Sequence, residues 1–160
     1  IDAYDSYVHT NVPLKSFING LTGITAETLK DAPPVEKVIK DFQEFVGSLP
    51  MVGYNAAKSD LPILAEHALD YSQQYKVDLY DEAFERRSSD LHGIANLKLQ
   101  TVASFLGFQG QSHNSLEDAR MTASVYESFL ESDQARELLG AESSLSNNPF
   151  GGLDLSQFLD

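Results

Sequence analysis

His113-Asn114-Ser115-Leu116-Glu117-Asp118-Ala119-Arg120-Met121-Thr122-Ala123 is the stretch on which the reading of this chain turns. Leu116, Ala119, Ala123, Tyr126, Phe129 and Leu130 share one side at helical spacing, so a helix is expected here after the loop Gln109-Gly110-Gln111-Ser112. At about 100° per residue, positions five apart on one helix diverge by roughly 140°. His113 and Asp118 therefore share a site only if His113 stands on the loop before the helix. There, a neutral imidazole can take a proton from water near neutral pH, while a carboxylate fixed on a helix can hold a divalent metal. Spacing alone favours an exposed loop histidine and an aspartate of a negatively charged first turn.

Outward from this stretch, helices alternate with short strands. Residues 3–10 are rich in β-formers and read as a strand ending at Asn11-Val12-Pro13. A loop or short helix follows to Gly20, and Thr25 offers an N-cap for a brief helix stopped by Asp31-Ala32-Pro33-Pro34. Val35, Val38, Ile39, Phe42, Phe45, Val46 and Leu49 mark the clearest amphipathic helix, broken by Pro50. Met51-Val52-Gly53-Tyr54 reads as a short buried strand, residues 60–71 as a helix with Pro62 in its first turn, and residues 77–80 as another strand. A polar helix is expected over residues 81–87, and residues 99–106 form a helix closed by Gly107. The alternation predicts an α/β architecture. Beyond Ser132 the texture changes: residues 133–139 extend as a small helix, residues 143–152 are linker-like, and residues 153–160 end the chain as a short acidic and hydrophobic segment.

Composition narrows the function classes. With 160 residues, 42% of them hydrophobic, the chain has material for one real core. The absence of Cys excludes disulfides, zinc–thiolate sites and cysteine nucleophiles. No long apolar run or signal segment occurs, so a soluble cytoplasmic protein with no membrane partner is expected. The first residue is Ile1 rather than Met, and upstream residues are expected to exist. A net charge of −13 argues against holding nucleic acid on a broad basic surface. A nucleic-acid enzyme of this balance would rely on bound cations or on a partner.

His-x-Ser/Ala-Leu-x-Asp-Ala-x-x-Thr-Ala, as found at residues 113–123, strongly resembles the last motif of the DnaQ-like, or DEDDh, exonucleases, which include the proofreading subunit of bacterial replicative polymerases. Leu21-Thr22-Gly23-Ile24-Thr25 and Val52-Gly53-Tyr54-Asn55-Ala56-Ala57-Lys58-Ser59-Asp60-Leu61 resemble earlier segments of the same family, in the expected order. The resemblance implies an RNase H-like mixed sheet flanked by helices, here lacking its first strands. It also divides the chain into an N-terminally incomplete exonuclease domain over residues 1–132 and a flexible tail over residues 133–160.

The implied chemistry is two-metal hydrolysis, with four acidic residues holding two Mg2+ or Mn2+ ions about 4 Å apart. His113 would be the base, Asp118 the last carboxylate ligand and Asp60 the third. Asn55 would hold the Asp60 loop or the substrate. Two departures stand out. The middle motif usually reads His-Asn-Ala-x-Phe-Asp, whereas Tyr54 replaces the His here and the loop to Asp60 is one residue longer and lacks the Phe. Asp60 could instead be an N-cap, and Ser59 is the weaker alternative ligand. The family's first Asp-x-Glu does not occur before Leu21. Asp2 and Asp5, three apart on a strand, would face opposite sides, so the true pair is expected outside this chain.

The expected substrate is the 3' end of single-stranded nucleic acid, DNA in preference to RNA, with release of nucleoside 5'-monophosphates. The alternatives are an RNA-trimming or oligoribonuclease-like enzyme, and a noncatalytic domain docking on a polymerase or sliding clamp. Leu153-Asp154-Leu155-Ser156-Gln157-Phe158 loosely resembles a clamp-docking peptide. His9, His67 and His92 are isolated and read as surface or packing residues, and Glu85-Arg86-Arg87 as a solvated helix end.

Overall fold

The computed structural model describes residues 2–110 and 113–146, with side chains to residue 140. Two compact units are present, Ile1–Tyr126 and Glu127–Asp160, and the last helix contributes to both. The clamp-like segment at residues 153–158 lies outside the described residues.

In the first unit, α1 (Ser16–Thr22) ends at Gly23, whose φ of 72° turns the chain into a conformation that favours glycine. Thr25 caps α2 (Ala26–Lys30) as expected, its hydroxyl accepting the Thr28 N–H at 3.1 Å. The amphipathic pattern becomes α3 (Val35–Val46), which Gly47 closes. Its inward face supplies Val46 to a core with Leu69 and Tyr71, against which Ile39, Phe42, Met51, Leu61 and Leu64 pack.

β1 (Met51–Gly53) pairs in parallel with β2 (Tyr75–Asp78), Val52 opposite Val77 and Gly53 opposite Asp78. Parallel neighbours need a crossover of a dozen or more residues, and α4 (Asp60–Glu66) lies within it. Gly53 is a site of close approach. A Cβ there would stand 2.6 Å from the Ala56 Cβ and 3.2 Å from the Tyr75 hydroxyl. β2 leads directly into α5 (Leu79–Glu85), followed by a 3-10 turn over Arg86–Ser88, then α6 (Leu99–Phe105) and α7 (Ser115–Ser146).

The chain is thus mixed α/β with a small parallel sheet, and several expectations need correction. Residues 3–10 form no strand. A strand requires a ladder partner, and what holds this segment instead is the His9 N–H donating to Pro33 O at 2.8 Å, with Tyr4 packed on Phe42 and Phe45. The helix from Asp60 stops at Glu66 because Ala68 takes φ 62° and turns Leu69 and Tyr71 into the core. The second strand sits two residues earlier than expected, since Asp78 already caps the next helix by accepting the Tyr80 N–H. α7 runs through the expected extension over residues 133–139 and on to Ser146, four residues into the stretch expected to be linker-like, with no proline to stop it. Arg86 is not solvated: it is 8% exposed and paired with Glu82 and Asp90.

Candidate active site

A cavity of about 640 Å³ opens beside β1, walled by Met51, Val52, Leu61, Leu64 and Leu99, and Asp60 and Asp118 both line it. Tyr54, Tyr75 and Ser115 belong to the same wall. Two carboxylates distant in sequence therefore face one space.

Asp60 is delivered by the loop after β1. Tyr54, standing where the family has His, donates its hydroxyl to Leu97 O at 2.6 Å and tethers the loop to the segment before α6. Burial first, then Tyr80 and Asp78, push its pKa well above the ordinary tyrosine value, so it is a neutral donor. Asn55 adopts φ 56°, a left-handed turn that Asn tolerates better than most residues. Its backbone N–H donates to Asp78 Oδ1 at 2.7 Å. Ser59 rather than Asp60 occupies the N-cap position of α4. The Asp60 carboxylate instead accepts from the Ser59 hydroxyl, and the residue is exposed.

Asp118 sits in the first turn of α7, half-buried. Asn114 opens the helix, its side chain accepting the Glu117 N–H at 3.1 Å and its carbonyl the Asp118 N–H at 2.9 Å. His113 precedes the helix on the loop, exposed, with φ 70°. Burial raises the pKa of Asp118, while the His113 backbone N–H and the nearby imidazole pull it back. His113 and Asp118 are therefore neighbours by the loop geometry that the spacing demanded.

Carboxylates are the right donors for a hard divalent cation, but two do not complete a two-metal centre. Among the described residues, no group of three or more His, Cys, Asp or Glu side chains is placed to hold a metal ion. The donor chemistry at Asp60 and Asp118 fits; the donor number does not.

Three features were not read from the sequence. Ser115 donates to Asp5 Oδ1 at 3.0 Å, so Asp5 is not the ordinary strand residue expected but a carboxylate held at the start of α7. The Tyr75 hydroxyl is buried without a hydrogen-bond partner of good geometry, although Asp78 lies near enough to act with burial in raising its pKa. Asp78 joins the two strand ends. An Asp between a strand and a helix is an N-cap signature that could have found it. No helix among the described residues is long and apolar enough to cross a membrane.

Parts of bacterial DNA polymerases are similar in sequence to this chain. The DNA polymerase III PolC-type of Caldanaerobacter subterraneus subsp. tengcongensis is 30% identical over 132 residues, covering 82% of this chain and 9% of that protein. The PolC-type polymerase of Clostridium perfringens is 28% identical over 126 residues, 78% of this chain and 9% of the relative. That of Bacillus subtilis is 42% identical over 57 residues, 36% of this chain and 4% of the relative. The chain thus spans less than a tenth of the length of these relatives. Residues 1–126 match the RNase T family model, described as Exonuclease, and the chain belongs to this RNase T/DnaQ-like exonuclease family.

Proposed function

We propose that this chain is part of a metal-dependent 3'-5' exonuclease domain that removes nucleotides from the 3' end of single-stranded DNA and releases nucleoside 5'-monophosphates. The observation that carries this reading is the convergence of Asp60 and Asp118 on one cavity, with His113 on the loop against Asp118. The relatives bear the name of a DNA polymerase, which favours DNA over RNA as substrate and proofreading as the setting.

Two Mg2+ or Mn2+ ions, completed by an Asp-x-Glu from outside these residues, would supply the activated water and neutralise charge on the phosphodiester. Asp60 and Asp118 provide the ligands this chain can offer. The His113 imidazole, exposed on its loop, accepts the proton of the attacking water. Met51, Val52 and Leu99 give the terminal nucleotide an apolar wall, while Asn55 sets the loop through its backbone.

The test uses the intact parent protein and a single-stranded oligonucleotide labelled at its 5' end. With Mg2+, a ladder shortening from the 3' end is expected, faster on DNA than on RNA of the same sequence. Asp60→Asn and Asp118→Asn should each lower the rate by orders of magnitude. A faster RNA ladder would move the substrate to RNA, and unchanged rates in both variants would remove these two residues from the site.

A further inference from the structure

We propose that Asp78 is a positioning residue for Asp60, acting through the backbone of Asn55. The inference rests on reading Asp60 as a ligand. Asp78 does not line the cavity itself.

One carboxylate oxygen, Asp78 Oδ1, accepts two N–H groups, that of Asn55 at 2.7 Å and that of Tyr80 at 3.0 Å. These donors belong to different connections, one leaving β1 and the other opening α5. Parallel pairing makes the bridge possible, because Gly53 and Asp78 are the last rung of the ladder and both chains leave the sheet at the same end. A charge-assisted bond to a backbone N–H is stronger than a neutral one. Here it fixes the left-handed turn at Asn55, φ 56°. From that turn the tether continues: Asn55 O accepts from the Lys58 N–H at 3.2 Å and stands 3.0 Å from Ser59 Oγ, which also reaches Asp60 Oδ2. The single Ser59 proton serves only one of these acceptors at a time. The run Asp78, Asn55, Ser59, Asp60 thus leads from the end of β2 to the cavity carboxylate, with Ser59 bonded to one of its two neighbours at a time. This loop is one residue longer than the family pattern, and the carboxylate gives the extra length a fixed origin.

The bond to Tyr80 is also a plain helix cap, so the experiment must separate the two jobs. Asp78→Ser keeps a hydroxyl able to cap Tyr80 but is too short to reach Asn55, and Asp78→Asn keeps an acceptor for both. Three quantities are measured on the intact parent protein: melting temperature, amide hydrogen exchange at Asn55, Lys58 and Ser59, and Mn2+ binding by water proton relaxation. Asp78→Ser is expected to melt close to the parent, yet exchange at Asn55 about 10-fold faster and bind Mn2+ about 10-fold more weakly. Asp78→Asn should restore both to within about threefold. Parent-like exchange in Asp78→Ser would reduce Asp78 to a cap and overturn the proposal, as would failure of Asp78→Asn to rescue. Asp60→Asn is the control on the underlying reading. If it leaves Mn2+ binding intact, Asp60 is no ligand, and exchange at Asn55 alone then decides whether Asp78 sets the loop.

Discussion

His113 combines two roles in one residue. Its φ of 70° is costly for a residue with a Cβ, yet that turn places its N–H against Asp118 and leaves the imidazole exposed. In the complete, active protein His113→Ala should lower turnover by about 100-fold or more with the fold intact. A variant that retains the parent rate would end the general-base assignment. Asp118 carries a second expectation, for the metal-free protein in chelator. Burial raises its pKa above the ordinary 3.8, so the folded chain holds the proton more tightly than the unfolded one. The stability linked to this group is fully present below the unfolded pKa and is lost as pH rises through the folded pKa. Ionised Asp118 therefore costs stability at neutral pH. Asp118→Asn should melt above the parent there, by a small margin because solvent screens a half-exposed carboxylate, and the margin should vanish in acid. Calorimetry across that pH range would show the opposite trend if hydrogen bonding to His113 outweighed burial.

Among the elements, β1 has little tolerance at Gly53, where an added Cβ would meet both Ala56 and Tyr75. Gly53→Ala would force these apart and should cost about 1–3 kcal/mol of stability, read as a lowered denaturant midpoint; an unchanged midpoint would mean that the crossover yields freely. Legibility in the sequence followed the range of the forces involved. α3 was readable because its apolar stripe repeats over three turns, and α2 because Thr25 is a local cap. The strand expected over residues 3–10 was not, because a ladder partner is a property of another segment. The early stop of α4 was hidden too, as Ala68 gives no sign of turning left-handed. At the site, the stretch over residues 109–112 pointed to a loop position for His113, and resemblance supplied the roles of His113, Asp60 and Asp118. The bridge from Asp78 to Asn55 and the contact of Ser115 with Asp5 depend on tertiary proximity, which no local pattern encodes.

For the whole molecule, the decisive quantity is the number of carboxylates. Asp60 and Asp118 offer two, whereas a two-metal centre must neutralise two dications at close range and orient both for in-line attack. With a net charge of −13, the polypeptide has little else to draw a phosphate backbone toward the cavity. A two-stranded sheet is also marginal by itself, and β1 pairs on only one side among the described residues. Ile1–Asp160 is accordingly expected to bind Mn2+ weakly and to leave a single-stranded oligonucleotide intact. Joining it to a segment that carries Asp-x-Glu on a strand should restore metal-dependent shortening from the 3' end and raise the melting temperature together, because the same strand would complete both the ligand set and the ladder. Replacing that Asp and Glu by Ala should remove the activity while leaving most of the gain in melting temperature, a separation that distinguishes ligands from scaffold. Robust Mn2+-dependent hydrolysis by Ile1–Asp160 alone would show that the ligand set lies within it, and Asp5, already held by Ser115 at the start of α7, is then the first carboxylate to replace.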